Sequence, residues 1–506
     1  MRKLYYVNAA LLSLIICQSI SAQKQTKPNV IIIYTDDLGY GDLSCYGATK
    51  VRTPNIDRIA KEGIMFTNAH ATSSTCTPSR YAMLTGEYPW RKKGTGIAAG
   101  DAGSIIDDSQ FTLAKLFQNA KYQTAVIGKW HLGLGGSNGP DWNGSIKPNP
   151  NQLGFKYSFI IPATPDRVPC VYVENDRVKN LDTTDPIEVN YKAPIGNDPI
   201  GTEHPELLVM KADKQHSGTI INGVSRIGYM KGGHKAYWND ETMSDDLTNK
   251  ALQYITSNKN KSFFLYFAIQ NIHVPRIPNP RFVGKSGMGP RGDALLELDN
   301  NTGKILRALD SLQLTQNTIV IFSSDNGPII NDGYEDSAQQ MLNNHTPGGN
   351  FRGGKYSKYD AGTRVPTIVR WPSVIKPNSV SNALVGQNDF IASMASLLKQ
   401  VLPTASAPDS ENMLEVLLGK SQKGRNSFVE QGITGFAIIQ DDWKYIPPSN
   451  GSPIMKDKNM ESGNNTKPQL YNLKTDRGEK INVAEQYPEK VEALSKLLAE
   501  IQASKK

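Results

Sequence analysis

The sequence predicts an α/β protein whose large, mostly parallel mixed sheet is sandwiched by helices and followed by a smaller C-terminal α+β subdomain. Three observations predict this fold class. Residues 30–33 form a continuous apolar run, typical of a strand buried on both faces. Strand-like segments then alternate with helical patterns, which favours parallel strands covered by helices. From about residue 379 a helix is followed by short strands instead, which indicates a separate smaller unit.

The elements of the large domain are predicted in order along the chain. The first strand covers 29–34 and leads into Asp36 and Asp37. A helix begins after Thr53, because threonine caps a helix and the following proline suits its first position, and Gly63 ends it. Later strands are predicted at 124–127, 262–269, 318–322 and 367–369. Helical patterns between them cover 111–119, 243–255 and 294–312.

The C-terminal region is predicted to contain a helix, a small sheet and a closing amphipathic helix. The helix covers 389–402, the short strands cover 435–439 and 443–446, and the closing helix covers 488–501. The predicted organisation is therefore a signal peptide at 1–22, a catalytic domain at 23–378 and the C-terminal subdomain at 379–506. Two polar loops, 135–151 and 183–217, are long enough to be predicted as the rim of a functional site.

The N-terminus has the pattern of a secretion signal. Arg2 and Lys3 precede an apolar run at 9–16, and the small residues Ser21 and Ala22 suit cleavage before Gln23. The apolar run is too short for a membrane span, and no later run reaches the roughly 20 apolar residues that a spanning helix needs. The sequence predicts a secreted or periplasmic protein without a membrane span.

Composition narrows the function classes. Hydrophobic residues make up 38% and charged residues 21% of 506 positions, so a packed core is expected. The net charge of +8 suits an anionic substrate, although a lysine-rich surface explains it as well. The sequence contains no block of basic residues interleaved with aromatic residues, so nucleic-acid binding is not indicated. Four cysteines exclude a disulfide scaffold; Cys45 and Cys170 either pair or remain two buried thiols.

Oxygen-bearing side chains follow two of the predicted strands. Asp36 and Asp37 come after the first strand, and Asp325 and Asn326 come after the strand at 318–322. In parallel α/β sheets, ligands bind beyond the carboxyl ends of the strands. Three carboxylates and an amide oxygen suit a hard cation such as calcium or magnesium. The alternative is a helix cap at the first pair and a turn at the second.

Cys76 lies in the second informative region. Residues 76–80 read CTPSR and residues 84–86 read LTG, in a loop that enters a helix, where backbone N–H groups can hold an anion. A single cysteine is more often an inert buried residue. The two short sequences nevertheless resemble the first signature of the formylglycine-dependent (type I) sulfatases, members of the alkaline phosphatase superfamily.

The resemblance continues through most of the mature chain and is closest to exported bacterial carbohydrate sulfatases and arylsulfatases. Residues 128–133 (GKWHLG) resemble the second signature, and 271–275 (NIHVP) resemble the segment with a further active-site histidine. Residues 351–355 and 362–366 resemble the stretch with the last sulfate-binding lysine, and 470–479 resemble the family's C-terminal subdomain. One departure is Asp360, where many relatives carry glutamate. The resemblance implies an alkaline-phosphatase-like fold.

The resemblance also implies a sulfuric ester hydrolase with a modified cysteine. A maturation enzyme would oxidise Cys76 to formylglycine, and the hydrated aldehyde would attack the sulfate ester of a carbohydrate. One Ca²⁺ ion is expected to be bound by the side chains that follow the two strands and by the modified cysteine, namely Asp36, Asp37, Asp325, Asn326 and Cys76.

Roles for the basic residues follow from the same resemblance. Arg80 and Lys129 would surround the nucleophile with positive charge, His131 is the candidate base, and Lys355 would bind sulfate. His273 and Lys355 are both candidate acids for the departing sugar oxygen, and the choice between them stays open. The expected substrate-binding set comprises Lys129, His273 and Lys355.

Three further residues are candidates for contact with the sugar. Asp166 and Arg167 place a carboxylate beside a guanidinium, which suits sugar hydroxyls, and His234 lies in a glycine-rich rim. The other lone histidines, His204, His216 and His345, are expected to be structural or solvated. The resemblance around 90–101 and 166–175 indicates 6-O-sulfated galactose or N-acetylgalactosamine in a sulfated glycan.

Two other functions are compatible with parts of the pattern. A phosphatase or phosphodiesterase of the same superfamily would use two zinc ions, but it needs several histidines near the second carboxylate pair, where Asn326 stands. A non-catalytic protein that binds sulfated glycans would not need a convertible cysteine. The complete set from Asp36 to Lys355 favours the sulfatase.

Overall fold

The structure is a computed structural model that describes residues 27–504, so the predicted signal peptide at 1–22 lies outside the described residues. Within this range, ten strands form the large sheet. Their order across the sheet is Ser379–Ser381, Ile64–Phe66, Thr367–Arg370, Thr318–Ser324, Asn29–Thr35, Phe263–Ala268, Gln123–Lys129, Tyr157–Ile161, Val173–Glu174 and Arg177–Val178.

The centre of this sheet is parallel and its edges are mixed. Asn29–Thr35 pairs in parallel with Phe263–Ala268 on one side and Thr318–Ser324 on the other. Gln123–Lys129 and Tyr157–Ile161 extend the parallel part, whereas the strand after Thr318–Ser324 in the sheet runs antiparallel. The central strand is wholly buried, as its apolar run predicts. The predicted mostly parallel mixed sheet is therefore confirmed.

Helices flank the sheet in two groups. Pro54–Lys61 and Met243–Ser257 both pack against the long helix Gly289–Ser311, which is predicted to begin at 294 but starts five residues earlier. Cys76–Thr85, Leu113–Asn119 and Phe390–Leu398 pack against one another. The remaining helices are Leu414–Leu417 and Pro488–Ala503. None of the described helices combines the length and the apolar character that crossing a membrane requires.

The C-terminal part contains a small antiparallel sheet. Its strands are Ser427–Gly432, Gly435–Gln440, Trp443–Ile446 and Gln469–Asn472, of which the sequence predicts the middle two. Leu494 and Leu498 of the closing helix are buried in the core of this part. The boundary at 378/379 stays a prediction, but Ser379–Ser381 pairs with the large sheet, so the small sheet begins only at Ser427.

Short two-residue and three-residue strands complete the described structure. They are Ala69–His70 with Val385–Gly386, Glu188–Asn190 with Tyr229–Lys231, Ile220–Ile221 with Val224–Ser225, and Ile454–Met455 with Met460–Glu461. The last pair is a hairpin from the C-terminal part. Cys45, Cys76 and Cys170 are all free thiols, so Cys45 and Cys170 do not pair.

Candidate active site

The parallel register brings the two groups of oxygen ligands together. Thr35 lies opposite Ser324 at the ends of their strands, so the residues that follow, Asp36 and Asp325, leave the sheet side by side. Ligand atoms of Asp36, Asp325 and Cys76 all lie within 4.8 Å of one another. The predicted convergence of carboxylates and cysteine at one edge of the sheet is what the structure shows.

Two of the oxygens in this cluster have no hydrogen-bond partner. Asp36 Oδ1 and Asn326 Oδ1 are buried and unpartnered, although Asn326 Nδ2 donates to Asp37 Oδ1 over 2.7 Å. Burial raises the pKa of Asp36 to about 6, against the opposing influence of Lys129. Unpartnered buried oxygens are costly unless a donor or a cation faces them. The residues therefore fit a hard, oxygen-binding cation.

Two basic side chains, Lys129 and Arg80, contact the buried carboxylates. Lys129 Nζ lies 2.6 Å from Asp36 Oδ2 and 3.6 Å from Asp325 Oδ2. Arg80 Nε donates to Asp325 Oδ2 over 2.8 Å. Burial favours a raised pKa for Asp325, but Arg80 and Lys129 outweigh it and lower the pKa. Asp325 is therefore held ionised, in the orientation that these two donors fix.

Cys76 is the first residue of the helix Cys76–Thr85, as the loop-to-helix interpretation predicts. The side chain is buried, and burial raises the pKa of its thiol although Lys129 and Lys355 lower it. An unmodified Cys76 would therefore be mainly a thiol at neutral pH, and the thiol is a poor nucleophile compared with the thiolate. Its position at a helix N-terminus suits an anionic group.

His131 has one ring nitrogen free to accept a proton. Its Nε2 lies 2.9 Å from the carbonyl oxygen of Ala98, which can only accept, so Nε2 carries the hydrogen. Nδ1 is buried and has no hydrogen-bond partner. Burial, and then the charges of Lys129 and Arg167, hold the pKa of His131 well below its usual value. The imidazole is therefore neutral, with its lone pair on Nδ1.

Lys355 and His273 form a contact pair beside Asp37. Lys355 Nζ lies 2.9 Å from Asp37 Oδ2 and 3.2 Å from His273 Nε2. His273 Nδ1 donates to the Val274 carbonyl over 2.6 Å. With Nδ1 protonated, Nε2 is the acceptor and receives a hydrogen bond from the Lys355 ammonium. Lys355 is buried, which lowers the pKa, but Asp332 and Asp37 raise it well above the usual value.

A cavity of about 500 Å³ opens above the cluster. Asp166 and Arg167 lie in its wall, and Asp166 Oδ1 and Arg167 Nε are without hydrogen-bond partners. His234 is not among the residues that line it: it is exposed and its ring nitrogens contact Asp185 and Asp198. The polar and titratable residues that line the cavity include Cys76, His131, Asp166, Arg167, His216, His273, Asp332, Lys355, Tyr356 and Lys458.

Several lining residues were not predicted from the sequence. His216, expected to be structural or solvated, has Nε2 3.4 Å from Asp166 Oδ2 in the cavity wall. His345, by contrast, is a buried partner of Asp42, as expected. Asp332 lies in a segment that reads as a turn, and Lys458 comes from the C-terminal hairpin. No local pattern marks these residues, because only the fold brings distant segments to the cavity.

Comparisons with known proteins agree with this geometry. Residues 28–401 match the family model described as Sulfatase. The chain is 55% identical over 485 residues to the N-acetylgalactosamine-6-O-sulfatase of Bacteroides thetaiotaomicron, a match that covers 96% of this chain and 95% of that protein. Human arylsulfatase A is 30% identical over 488 residues, which cover 93% of this chain and 87% of the relative.

Solved structures give the same result. One from a study of glycosaminoglycan metabolism by Bacteroides thetaiotaomicron has a TM-score of 0.93 at 55% identity and covers 94% of this chain and 100% of that chain. A sulfatase from Pseudoalteromonas has a TM-score of 0.69 at 22% identity, covering 94% and 90%, respectively. The second similarity extends to the fold alone.

Proposed function

The chain belongs to the sulfatase family and is a sulfuric ester hydrolase, and on this premise we propose that it removes the 6-O-sulfate from N-acetylgalactosamine or galactose in sulfated glycans. The observation that carries the proposal is the convergence of Asp36, Asp325 and Cys76 within 4.8 Å beneath an open cavity. The named activity of the relative that is 55% identical supports the choice of sugar and sulfate position.

We propose that Asp36, Asp37, Asp325 and Asn326 hold one Ca²⁺ ion, with the side chain at position 76 completing its shell. The unpartnered oxygens of Asp36 and Asn326 support this assignment. The bound ion would supply positive charge against the ester oxygens, and formylglycine made from Cys76 by a maturation enzyme would supply a hydroxyl nucleophile.

The basic residues around the cluster have separate proposed tasks. Arg80 and Lys129 keep Asp325 and Asp36 ionised and oriented, through contacts of 2.8 Å and 2.6 Å. Their charge also favours an anionic sulfate group in a buried site, where electrostatic interactions are strong. His131 Nδ1, neutral and unpartnered, is the proposed base that accepts a proton from the group at position 76.

Lys355 and His273 are the two proposed acids for the leaving oxygen. Lys355 Nζ donates to His273 Nε2 over 3.2 Å, so the two side chains hold each other in place. Both line the cavity, where either can give a proton to the departing sugar oxygen. Lys355 is also the proposed ligand of a sulfate oxygen, because its charge is maintained by two neighbouring carboxylates.

The proposed sugar site comprises Asp166 and Arg167. Each has a buried polar atom without a hydrogen-bond partner in the cavity wall, and sugar hydroxyls are suited to both. His234 is left out of this site, because its ring nitrogens already contact two aspartates away from the cavity. We further propose that residues 1–22 direct export, so that the mature protein is secreted or periplasmic.

Sulfate release from a panel of monosulfated sugars tests the substrate proposal. We expect release from 6-O-sulfated N-acetylgalactosamine and galactose, and much slower release from the 4-O-sulfated isomers. The control is Cys76→Ala, which should be folded and inactive on every sugar because the nucleophile is missing. Activity confined to 6-O-sulfated glucosamine would contradict the proposed sugar while leaving the sulfatase assignment intact.

A further inference from the structure

The C-terminal hairpin reaches the active-site cavity. Its strands, Ile454–Met455 and Met460–Glu461, pair antiparallel, and the turn between them carries Lys458. Met455 and Lys458 line the same cavity as Cys76. Residues far along the chain from the catalytic motifs therefore form part of the wall around the sulfate site.

Lys458 and Lys355 both contact the carboxylate of Asp332. Lys458 Nζ lies 2.9 Å from Asp332 Oδ1, and Lys355 Nζ lies 2.9 Å from Asp332 Oδ2. The hydroxyl of Tyr356 also donates to this carboxylate, over 3.1 Å. Asp332 is only 5% exposed, and each of its oxygens contacts one ammonium group. The arrangement is a chain of three charges that ends at the hairpin.

The hairpin is fastened to the segment that carries Lys355. Glu461 accepts from Arg352 Nε over 2.8 Å and from the second guanidinium nitrogen over 2.6 Å. Lys358 N donates to the Ser462 carbonyl over 3.0 Å. Met460 packs so closely on Gly354 that a Cβ at that glycine would lie 2.6 Å from its terminal carbon. The hairpin that carries Lys458 and the segment that carries Lys355 are therefore packed together.

We propose that Lys458 and Asp332 are positioning residues that set the Lys355 ammonium against the sulfate group, so that the C-terminal hairpin completes the sulfate site. This inference rests on the proposed role of Lys355 as the sulfate ligand. A lysine has a long, flexible stem and no preferred fork geometry, so its ammonium must be held by its neighbours. Asp332 supplies one of these contacts, alongside Asp37 and His273.

Lys458 shares the negative charge of Asp332 with Lys355. Because Asp332 contacts two ammonium groups, it orients Lys355 without neutralising the full positive charge of Lys355. Without Lys458, Lys355 would be the one ammonium left on the buried carboxylate, which would also repel an anionic ester nearby. Both effects weaken binding of the sulfate group, and both are independent of the sugar to which the sulfate is attached.

A direct contact between Lys458 and the substrate is the competing explanation. Lys458 has only 11% of its side chain exposed, and its ammonium already bonds to Asp332, which favours the indirect role. If Lys458 instead recognised an acidic neighbouring sugar, its loss would impair oligosaccharides and spare small substrates. The choice of substrates therefore separates the two explanations.

Steady-state kinetics of Lys458→Met provide the test, with 6-O-sulfated N-acetylgalactosamine and a small aryl sulfate as substrates. We expect kcat/KM to fall roughly 10-fold to 100-fold on both, with a higher KM and weaker product inhibition by inorganic sulfate. Lys458→Arg should recover most of the activity, because a guanidinium can still reach Asp332. Lys456→Met, an equal charge change at an exposed position of the same turn, should resemble the wild type.

Two further measurements separate positioning from general damage. The calcium concentration for half-maximal activity and the unfolding temperature should be the same for Lys458→Met and the wild type. In a double-mutant cycle, Lys458→Met should have little additional effect once Asp332→Asn is present, because the two residues act in one chain. Kinetic constants are referred to the folded fraction of each variant, so that partial unfolding does not count as a catalytic defect.

Several outcomes would overturn the inference. It fails if Lys458→Met has wild-type kinetics, if its defect appears only on oligosaccharides, or if the defects of Lys458→Met and Asp332→Asn are additive. If the wild-type enzyme releases sulfate and Lys458→Met has the same kinetics, the inference about Lys458 is wrong and the proposed substrate stands. If the wild-type enzyme releases no sulfate from any sugar, the proposed substrate is wrong.

Discussion

The active-site cluster and a second buried cluster beneath the C-terminal sheet contain similar side chains. We call the second the junction cluster; it joins the large domain to the C-terminal sheet and comprises His70, Asp360, Arg364, Glu430, Lys444 and Glu479. Each cluster buries at least three carboxyl groups, basic side chains and at least one histidine. In each, three groups able to bind a metal have ligand atoms within 4.8 Å of one another. Composition alone does not distinguish them.

The position of the lysine distinguishes the two clusters. In the junction cluster, Lys444 Nζ lies 2.7 Å from Glu430, 3.3 Å from Glu479 and 3.6 Å from Asp360, so an ammonium occupies the centre. The oxygens of these three residues that make no hydrogen bond therefore still face a positive charge. At the active site, Lys129 lies to one side, where it contacts Asp36 Oδ2, and Asp36 Oδ1 has no hydrogen-bond partner. A centre filled by lysine makes a structural ion cluster, whereas a centre lined by free oxygens beneath a cavity suits a metal ion.

The largest expected effect comes from a change in charge at the active site. Asp325→Asn keeps the shape of the side chain but removes a proposed calcium ligand and the partner of Arg80 and Lys129. We expect kcat to fall at least about 10²-fold to 10³-fold, because a preorganised electrostatic contact in a buried site is lost. Sulfate release measured on the proposed sugar checks this expectation.

The matched control is Lys444→Met in the junction cluster. Removing the central ammonium takes away the positive charge that three buried carboxyl groups share, which we expect to lower the free energy of unfolding by about 3–5 kcal/mol. The folded fraction should nevertheless keep a wild-type KM and a wild-type response to calcium. A variant that is stable but inactive would show that the junction cluster takes part in the reaction, and the contrast between the clusters would be lost.

Metal removal should act on one cluster only. A calcium chelator is expected to abolish activity and to lower the free energy of unfolding, by about 2.7 kcal/mol if the ion is present at a hundred times its dissociation constant. Added Ca²⁺ should restore both, and Asp325→Asn should show a much smaller response. Thermal unfolding with and without chelator checks this, and a wild type that is active and equally stable without divalent ions would refute the cation site.

A smaller effect is expected from pH and should arise in the junction cluster. Burial raises the pKa of Glu479 from 4.5 to about 8. Between these values the folded protein binds a proton that the unfolded chain has lost, so stability falls as pH rises and levels off above about pH 8. The slope is at most about 1.4 kcal/mol per pH unit. The lowered pKa values of His70 and Asp360 place their titration at lower pH.

Glu479→Gln isolates this effect. Glutamine keeps an acceptor for the backbone N–H of Asp360 but carries no titrating proton. Unfolding curves between pH 6.5 and 9 should therefore be flatter for the variant than for the wild type, with unchanged activity at neutral pH. Parallel curves for the two proteins would show that Glu479 does not hold its proton in the folded state.

The sequence predicts the elements whose evidence is local. The apolar run at 30–33 gives the central strand, and the carboxylates after it fall at the sheet edge because parallel strands end there together. Short strands such as Ile64–Phe66 are not predicted, since three residues carry too little pattern. The cluster around Cys76 could be anticipated because its motifs are contiguous and specific.

The remaining site residues depend on contacts between distant segments. Lys458 reaches Asp332 from more than a hundred residues away, and His216 reaches Asp166 from a long polar loop. Likewise, Lys444 would read as a surface lysine in a short strand, yet it is wholly buried. Such residues have ordinary local surroundings, and only the folded chain gives them partners.

The chemical state of position 76 in the active enzyme decides whether Cys76 is the precursor of the nucleophile. Mass spectrometry of the peptide that contains Cys76, from protein with measured sulfatase activity, should show an aldehyde that is lighter than the thiol. The aldehyde fraction should rise in proportion to specific activity across preparations. Fully active protein in which every such peptide carries an unmodified thiol would show that the nucleophile does not come from Cys76.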